Sequence, residues 1–328
     1  MKALLIDEDS DQPVMKVGEI PDPHPESHEI LVKVESTALN RADLLQKAGK
    51  YPVPEGASPI LGLEMAGVVD KVGSRVTEFK QGDPVFGLLP GGGYAEYCTI
   101  HENMAMPVPE ELSFEEAAGI PEVFLTAFQA IDWLGELSKE ETILIHAGAS
   151  GVGTSAIQLA KYLYDVRIIS TAGTDQKNEL CENLGSGLSI NYKEENFADV
   201  IESKFGENCV DLIIDFVGSP YWDMNIKILG LDGRLVYLSM LGGAKVDQMN
   251  LVPILRKRLT IKGSTLRNRS DAYKIKLTKE FKEKALGLFS DGTLKPIIDS
   301  VYDWSDVEEA HSRMKKNLNA GKIILTGM

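Results

Sequence analysis

A glycine-rich turn between an apolar run and an amphipathic segment is the feature of this sequence best suited to chemistry. Residues 142–146 are rich in isoleucine and leucine, which predicts a strand buried on both faces of a parallel sheet. The turn reads GASGVG, with Ser150 at the second glycine of the usual fingerprint, and its candidate binding residues are Gly148, Ser150, Gly151, Val152 and Gly153. Such a turn lets backbone approach a pyrophosphate, and the following helix start attracts the diphosphate charge. A tight turn without a ligand is the alternative, but the order strand, turn, helix favours dinucleotide binding.

The residues after the second strand of this unit favour NADPH over NADH. An NAD site usually has an acid at this strand tip, to accept from the ribose 2′-hydroxyl, whereas the tip here is small and neutral and leads into Gly173. Lys177 could pair with a 2′-phosphate, and the hydroxyl of Tyr192 could donate to it. The alternatives are a solvated surface charge for Lys177, a strand-end aromatic for Tyr192, and an Asp175 turned toward a ribose.

Two domains of different fold are needed to position these residues. The first 120 or so residues carry strand-like runs cut by proline and glycine, with one short helix at 40–48, which predicts a mainly antiparallel β domain. From about Ser113 helices alternate with short apolar strands, which predicts a doubly wound parallel sheet of about six strands. The fold class is therefore α/β, with a mainly antiparallel β domain at 1–122 and 268–328 and a dinucleotide-binding domain at 123–267.

Composition excludes several classes of function. The chain has 328 residues, 43% of them hydrophobic and 25% charged, as expected for a globular protein with two cores. A formal charge of −15 argues against nucleic acid and against an anionic membrane as partners. Three widely spaced cysteines, Cys98, Cys181 and Cys209, fit a reducing cytoplasm and give no disulfide framework.

Several motifs resemble one known family over nearly the full length. They are NRAD at 40–43, ILGLEMAGVV from 60, VGSRV from 72, GD at 82, LPGGGYAEY from 89, IPEVFLTAF from 120, HAGASGVG from 146, INYKEE from 190 and GKIIL from 321. The chain resembles the zinc-free quinone oxidoreductase branch of the medium-chain dehydrogenases/reductases, the zeta-crystallin group. NRADLLQ, LPGGGYAEY and Tyr51 look closest to the tumour-suppressor-induced quinone reductases. The resemblance implies a GroES-like catalytic domain and a Rossmann domain.

The resemblance also places residues around the reacting groups. It implies that Asn40 donates to a substrate oxygen, that Tyr51 caps the same cleft, and that Thr126 lies near the nicotinamide. Leu241 and Gly242 would approach the carboxamide through backbone, and Asn317 would reach the cofactor from the tail of the chain. From the residues alone, a turn-capping role for Asn40 and a loop aromatic for Tyr51 stay open.

The metal of the related alcohol dehydrogenases is not expected. Asn40, Leu63 with Glu64, and Glu122 stand where those enzymes place zinc ligands, and the cysteine-rich structural-zinc loop is missing. Without that Lewis acid, alcohol oxidation is disfavoured, whereas a quinone or an α,β-unsaturated carbonyl can accept hydride with hydrogen-bond donors alone. Neither Asp43 nor Glu64 is assigned as the proton donor, since a quinol can take its proton from water.

The predicted function is thus an NADPH-dependent quinone reductase that acts in a cleft between the domains. The alternatives are an enal or enone reductase, and a weakly catalytic NADPH-binding sensor or structural protein. A homodimer or homotetramer is expected, because zinc-free members commonly pair through an edge strand of the nucleotide domain, here near residues 259–263.

Overall fold

The computed structural model describes residues 1–7 and 13–328, which form fifteen strands in these ranges. The strands are β1 Lys2–Asp7, β2 Val14–Glu19, β3 Glu29–Ala38, β4 Glu64–Val72, β5 Pro84–Leu88, β6 Tyr97–His101, β7 Ala105–Pro107, β8 Thr142–Ile145, β9 Arg167–Ala172, β10 Leu188–Asn191, β11 Val210–Asp215, β12 Leu229–Tyr237, β13 Thr260–Gly263, β14 Ile298–Asp303 and β15 Lys322–Thr326. The helices are α1 Arg41–Lys47, α2 Phe114–Ala118, α3 Pro121–Phe128, α4 Gly151–Leu159, α5 Asp175–Leu184, α6 Phe197–Phe205, α7 Trp222–Ile228, α8 Val252–Lys257, α9 Asp271–Phe281, α10 Gly287–Ser290 and α11 Val307–Lys315. Wider, π-helical turns extend α3 (Gln129–Leu134), α4 (Ala160–Tyr164) and α9 (Lys282–Leu286). No helix in the described ranges is both long and apolar enough to cross a membrane.

The chain divides into two compact units, Met1–Leu125 with Leu266–Met328, and Thr126–Thr265. The first unit contains a seven-stranded sheet in the order β14-β15-β3-β4-β5-β7, with β6 also paired to β3, and a separate β1-β2 hairpin. All its pairings are antiparallel except β14 with β15. The last strand, β15, pairs with β3, so residues from the two ends of the chain complete one sheet. The expectation of a mainly antiparallel GroES-like domain is confirmed.

The second unit is a six-stranded, fully parallel sheet in the order β10-β9-β8-β11-β12-β13. From β8 the chain first runs outward through β9 to β10. It then returns to the other side of β8 and runs outward through β11 and β12 to β13. In such sheets ligands bind beyond the carboxyl ends of the strands at this switch point. The predicted doubly wound sheet is confirmed, and the glycine turn leaves the carboxyl end of β8.

Apolar strands form the core of each unit. Ile143, Leu144 and Ile145 of β8 and Ile213 of β11 are fully buried, as expected for strands covered on both faces. In the first unit, Ile30, Val32 and Val34 alternate along β3 and pack into a core with Met65 and Val69 of β4. The sites described below lie at the ends of these rigid strands.

Several elements differ from the sequence expectation, among them the three-residue strand β7. The strand β2 and the helix α8 were not expected either, because Met15 is the only buried residue of β2 and α8 has no buried residue. Neither element therefore carries a strong apolar pattern. Residues 274–290 have the sequence pattern of one long helix, but in the structure α9 gives way to a π-helical turn and the short α10.

Candidate active site and cofactor-binding loops

The glycine turn after β8 is packed too closely for side chains. The Gly148 amide donates to Thr171 O at 2.9 Å, which ties the turn to β9. A Cβ on Gly148 would lie 2.8 Å from Ser170 Cβ, and one on Gly153 would lie 2.4 Å from Ala147 O. These contacts explain why the sequence places glycine at both positions.

Ser150 caps the helix that follows the turn. Its hydroxyl accepts from the Gly153 amide at 3.1 Å, and its carbonyl accepts from the Thr154 amide at 2.8 Å. The amides of Gly151 and Val152 stand at the first two helical positions, where a helix offers them no internal partner. The helix start therefore presents backbone donors that suit an anion.

A buried polar network that the sequence pattern did not predict lies beside this turn. His146 Nδ1 lies 3.0 Å from Thr171 Oγ1, and His146 Nε2 lies 2.8 Å from Asn225 Oδ1. Asn225 Nδ2 in turn donates to Asp215 Oδ2 at 2.8 Å. Burial lowers the pKa of His146, so its Nε2 donates to Asn225 and its Nδ1 accepts from Thr171. The network links the carboxyl ends of β8, β9 and β11, and a histidine directly after an apolar strand was its only signal.

The tip of β9 brings Gly173 and Tyr192 together. A Cβ on Gly173 would lie 2.8 Å from the Tyr192 hydroxyl and 3.2 Å from Lys193 Cε. Lys177 stands in the first turn of α5, whose start Thr174 caps by accepting from the Lys177 amide at 3.3 Å. Asp175 Oδ1 accepts from Asn191 Nδ2 at 3.2 Å. Lys193 was not predicted, although it directly follows Tyr192 in the sequence.

Leu241 and Gly242 lie in a loop that is fixed to the loop after β11. The Leu241 amide donates to Phe216 O at 3.0 Å, and the Gly242 amide donates to Val217 O at 2.8 Å. Leu241 is more than half exposed. The two loops therefore form one rigid edge at the carboxyl ends of β11 and β12.

In the first unit, Asn40 lies at the start of α1 with both ends of its amide engaged. Its Nδ2 donates to Glu64 Oε1 at 2.7 Å and to Ala38 O at 3.4 Å. Its Oδ1 accepts from Lys322 Nζ at 2.8 Å, and the same ammonium donates to Glu64 Oε1 at 2.6 Å and to Leu39 O at 2.8 Å. Because Lys322 and Glu64 are only 3% and 0% exposed, this is a fully buried ion pair that fixes the orientation of Asn40.

Asp43 joins three segments of the same unit. Its carboxylate accepts from the backbone amide of Asn40 at 2.7 Å, from the backbone amide of Gly62 at 3.2 Å and from the Tyr94 hydroxyl at 3.3 Å. Burial raises the pKa of Asp43 to about 6, against the opposing effect of the two amides. Tyr94 also lies 3.3 Å from His311 Nε2, whose pKa burial lowers to about 4.

Tyr51 lies under a buried arginine that the sequence analysis did not single out. The Arg267 guanidinium carbon lies 5.4 Å from the centre of the Tyr51 ring, and Arg267 Nε donates to Pro90 O at 2.7 Å. Arg267 is 3% exposed, and its burial lowers its pKa from the ordinary value. The arginine has no motif signal, since it lies more than 200 positions from the tyrosine it covers.

Glu122 stands near the start of α3. Its backbone amide donates to Glu64 Oε2 at 2.8 Å, so both carboxylate oxygens of Glu64 accept hydrogen bonds. Burial and the neighbouring Glu64 raise the pKa of the Glu122 carboxyl to about 8. A group with this pKa carries its proton at neutral pH.

The remaining predicted site residues lie elsewhere. Thr126 is on α3, and its hydroxyl is buried without a hydrogen-bond partner in the part of the chain that the structure describes. Asn317 is an exposed residue after α11, and its Oδ1 accepts from Arg41. Within residues 1–7 and 13–328, no three histidine, cysteine or acidic side chains are grouped so that they could hold a metal ion.

Comparison with known proteins places this geometry in a family. The sequence model described as "Alcohol dehydrogenase GroES-like domain" matches residues 26–110, and that described as "Zinc-binding dehydrogenase" matches residues 151–289. Quinone oxidoreductase of Homo sapiens is 30% identical over 335 residues, which cover 99% of this chain and 97% of that protein. The chain belongs to the quinone oxidoreductase family. Its assignment to the medium-chain dehydrogenases/reductases is confirmed, and the closer likeness to the tumour-suppressor-induced reductases stays a prediction.

Two solved structures share the fold over at least 96% of this chain. The structure of Escherichia coli quinone oxidoreductase complexed with NADPH has a TM-score of 0.84 and 29% identity, and the match covers 96% of each chain. CurK enoyl reductase has a TM-score of 0.85 and 25% identity, with 99% of this chain and 98% of that chain covered.

Within each unit, the structure groups some predicted residues of this family member and leaves others apart. Gly173 and Tyr192 meet at the tip of β9, and Ser150 caps the helix that begins at Gly151. Asn40 is grouped with Glu64 and Lys322 rather than with Tyr51, whose described ring contact is Arg267. The assignment of catalytic and binding roles to these residues stays a prediction.

Proposed function

We propose that this protein is an NADPH-dependent, zinc-independent quinone reductase. The full-length similarity to human quinone oxidoreductase, at 30% identity, carries the proposal. The related E. coli enzyme was solved in complex with NADPH, which supports the choice of cofactor.

The residues of the second unit fit NADPH. The free amides at the start of α4 suit the diphosphate, and the neutral tip of β9, with the Tyr192 hydroxyl beside Gly173, suits a 2′-phosphate. Lys177 would pair with that phosphate, and the hydrogen bond from Asn191 holds Asp175, the residue that could instead have turned toward a ribose. Leu241 and Gly242 would meet the carboxamide. When bound, NADPH supplies the hydride.

The residues of the first unit suit an electron-poor carbonyl acceptor. Asn40 and Leu63 replace ligands that a zinc site needs, and the Lys322 ammonium already binds the oxygens of Asn40, Leu39 and Glu64. Asn40, held in place by this ion pair, shapes the acceptor pocket, and Tyr51 offers it a ring face and a hydroxyl. A donor such as the Tyr51 hydroxyl suits a quinone, whose reduced form spreads its negative charge over the ring.

Steady-state kinetics with 1,4-benzoquinone and 1,2-naphthoquinone test the function. We expect turnover with NADPH and a much higher KM for NADH, because NADH lacks the 2′-phosphate that Lys177 and Tyr192 would bind. Equal efficiency with both cofactors would overturn the cofactor assignment, and tight NADPH binding without turnover of any acceptor would indicate a sensor.

The second candidate is reduction of an enal or enone double bond. The similarity to CurK enoyl reductase favours keeping it, because that protein shares the fold over almost the whole chain. Rates on 2-alkenals far above those on quinones would decide for this candidate.

A homodimer or homotetramer forms through the β13 side of the second unit in this proposal. β13 is an edge strand of the sheet, and large apolar side chains are exposed in the segment leading to it. These side chains are Met240, Leu241, Met249, Leu251, Val252, Leu255 and Ile261. Exposed large apolar side chains concentrated in one stretch of the sequence, together with an edge strand, favour a contact surface. The buried free thiols of Cys98 and Cys181 support a cytoplasmic location.

A further inference from the structure

Arg267 is a buried cation whose hydrogen bonds are incomplete. Its Nε donates a hydrogen bond to Pro90 O at 2.7 Å. Both terminal nitrogens, Nη1 and Nη2, are buried without a partner among the described residues. A guanidinium keeps its charge in proteins, so four N–H bonds of a permanent cation lack acceptors. Buried donors of this kind are costly unless a ligand or water satisfies them.

Glu122 is the complementary group. Its Oε2 is also buried and lacks a hydrogen-bond partner within the described ranges. Arg267 and Glu122 act on each other electrostatically, and both act on the Tyr51 hydroxyl. Yet no salt bridge joins Arg267 to Glu122 in the described part of the chain, whose ion pairs reach up to 3.9 Å between nitrogen and oxygen. The cation and the acid therefore each keep buried polar atoms without a partner in the described residues, and both act on the same Tyr51 hydroxyl.

We propose, on the basis of the proposed function, that these unpartnered atoms receive the acceptor oxygen, with Arg267 as the oxyanion-binding residue and Glu122 as the proton donor. The substrate class is a carbonyl compound whose oxygen becomes anionic on two-electron reduction. The hydride and its electron pair go to the acceptor, and the charge that develops on the oxygen is held by Nη1 and Nη2. The O–H bond of the Glu122 carboxyl then breaks and an O–H bond forms on the product. The carboxylate that remains is stabilised by Arg267 and takes a proton from water.

The charges around Glu122 allow this cycle. Glu64 acts against its ionisation, Asp43 does the same more weakly, and Lys322 and Arg267 favour ionisation. Lys274 and Tyr51 also interact with the Glu122 carboxyl. Because Lys322 is bound directly to Glu64, it neutralises that carboxylate first and leaves Glu122 as the group that holds a proton.

Binding of 4-nitrophenolate tests the oxyanion site without turnover. This ion mimics the phenolate product, and its own absorption reports its binding to the protein loaded with NADP⁺. We expect Arg267→Met to weaken binding about 30-fold, and Arg267→Lys to weaken it about 5-fold, because lysine keeps the charge but loses the two-pronged donor. Arg269→Met is the matched control, since Arg269 also stacks on a tyrosine, at 4.6 Å from the ring centre of Tyr273. Equal affinity of wild type and Arg267→Met would overturn the proposal.

The pH dependence of kcat tests the proton donor. Wild-type kcat should fall as the pH rises through about 8, the pKa of Glu122, and Glu122→Gln should lose this limb and about 100-fold of kcat. Glu115→Gln on α2 is the control and should keep the wild-type profile. A Glu122→Gln enzyme that retains the limb overturns the assignment of the acid.

Two further outcomes keep the inferences distinguishable. If Arg267→Met does not fold, as judged by its unfolding midpoint, the Arg267→Lys variant carries the binding test. If wild type reduces no quinone with NADPH, the proposed function fails, whereas 4-nitrophenolate binding that depends on Arg267 still supports the oxyanion site.

Discussion

At the scale of single residues, the buried pair of Lys322 and Glu64 sets the geometry around Asn40. Replacing Lys322 by methionine leaves the Glu64 carboxylate buried without its cation, because three of the ammonium's hydrogen bonds are lost together. Removing one partner of a buried pair costs about 3–5 kcal/mol, so we expect Lys322→Met to lower the free energy of unfolding by that amount. Urea unfolding at neutral pH measures it. Lys33→Met, which breaks the exposed pair with Glu35, is the control and should cost less than about 1 kcal/mol.

Glu122 makes stability depend on pH in the direction opposite to most acids. Its pKa is raised from 4.5 to about 8, so between these values the folded chain holds a proton that the unfolded chain has released. The contribution of Glu122 to wild-type stability therefore falls as the pH rises from about 4.5 to about 8. We expect Glu122→Gln to remove most of this fall and to be more stable than wild type by about 2 kcal/mol at the upper end. Thermal unfolding across this pH range checks it. Asp43, with a pKa raised to about 6, should leave a smaller slope in the variant, and an unchanged slope would contradict the prediction.

The candidate site residues that the sequence singled out lie in short motifs of near neighbours in the chain, and their binding roles stay predictions. Ser150 caps a helix that begins one residue later, and Gly173 is followed by Lys177 within one turn. Arg267 and Lys322 could not be predicted in this way. Lys322 bonds to Glu64 across 258 positions, and only the pairing of β15 with β3 brings it there.

At the scale of elements, the turn between β8 and α4 is where backbone contacts exclude side chains. A Cβ on Gly153 would lie 2.4 Å from Ala147 O, so Gly153→Val should displace the start of α4. We expect loss of both NADPH and NADH binding, whereas Lys177→Ala should weaken only NADPH, by about 30-fold, because it removes one contact to the 2′-phosphate. Calorimetric titration of each variant with both dinucleotides checks this.

Lys193→Ala is the matched control for that titration. Lys193 is another lysine beside Gly173, with its Cε 3.2 Å from the position of a Cβ there. If Lys193→Ala weakens NADPH binding and Lys177→Ala does not, the phosphate-binding role belongs to Lys193. A Gly153→Val protein that still binds either dinucleotide would contradict the role of the turn.

Most elements could be predicted because their apolar spacing matches their burial. The strand β8 and the helix α6 are examples, since each has a distinct buried face or a continuous buried run. The elements that were not predicted are those that depend on contacts with other parts of the chain rather than on their own apolar pattern. β2 depends on pairing with β1, and α8 packs only Ile254 against the core while Leu255 is 81% exposed.

At the scale of the whole molecule, the sequence pattern predicted two units and the kind of sheet in each. It predicted a parallel, doubly wound sheet because strands and helices alternate between residues 142 and 263. It could not show which surface stays apolar after folding. That surface depends on side chains such as Met249 and Leu255, whose burial no periodicity determines.

We predict that the oligomer assembles through the edge strand β13 and the helix α8 that precedes it. Leu255 is exposed on α8, and Ile261 is exposed on β13, the edge strand that follows this helix. We expect size-exclusion chromatography with light scattering to give two or four times the chain mass of 35.9 kDa for wild type, and a monomer for Leu255→Glu with Ile261→Lys, because charges at this edge would be buried in the contact. Val301→Lys, an exposed change on β14 of the other unit, is the control and should keep the wild-type mass. A wild-type protein of 35.9 kDa at micromolar concentration would refute the assembly, and an oligomer that survives both edge charges would place the contact on another surface.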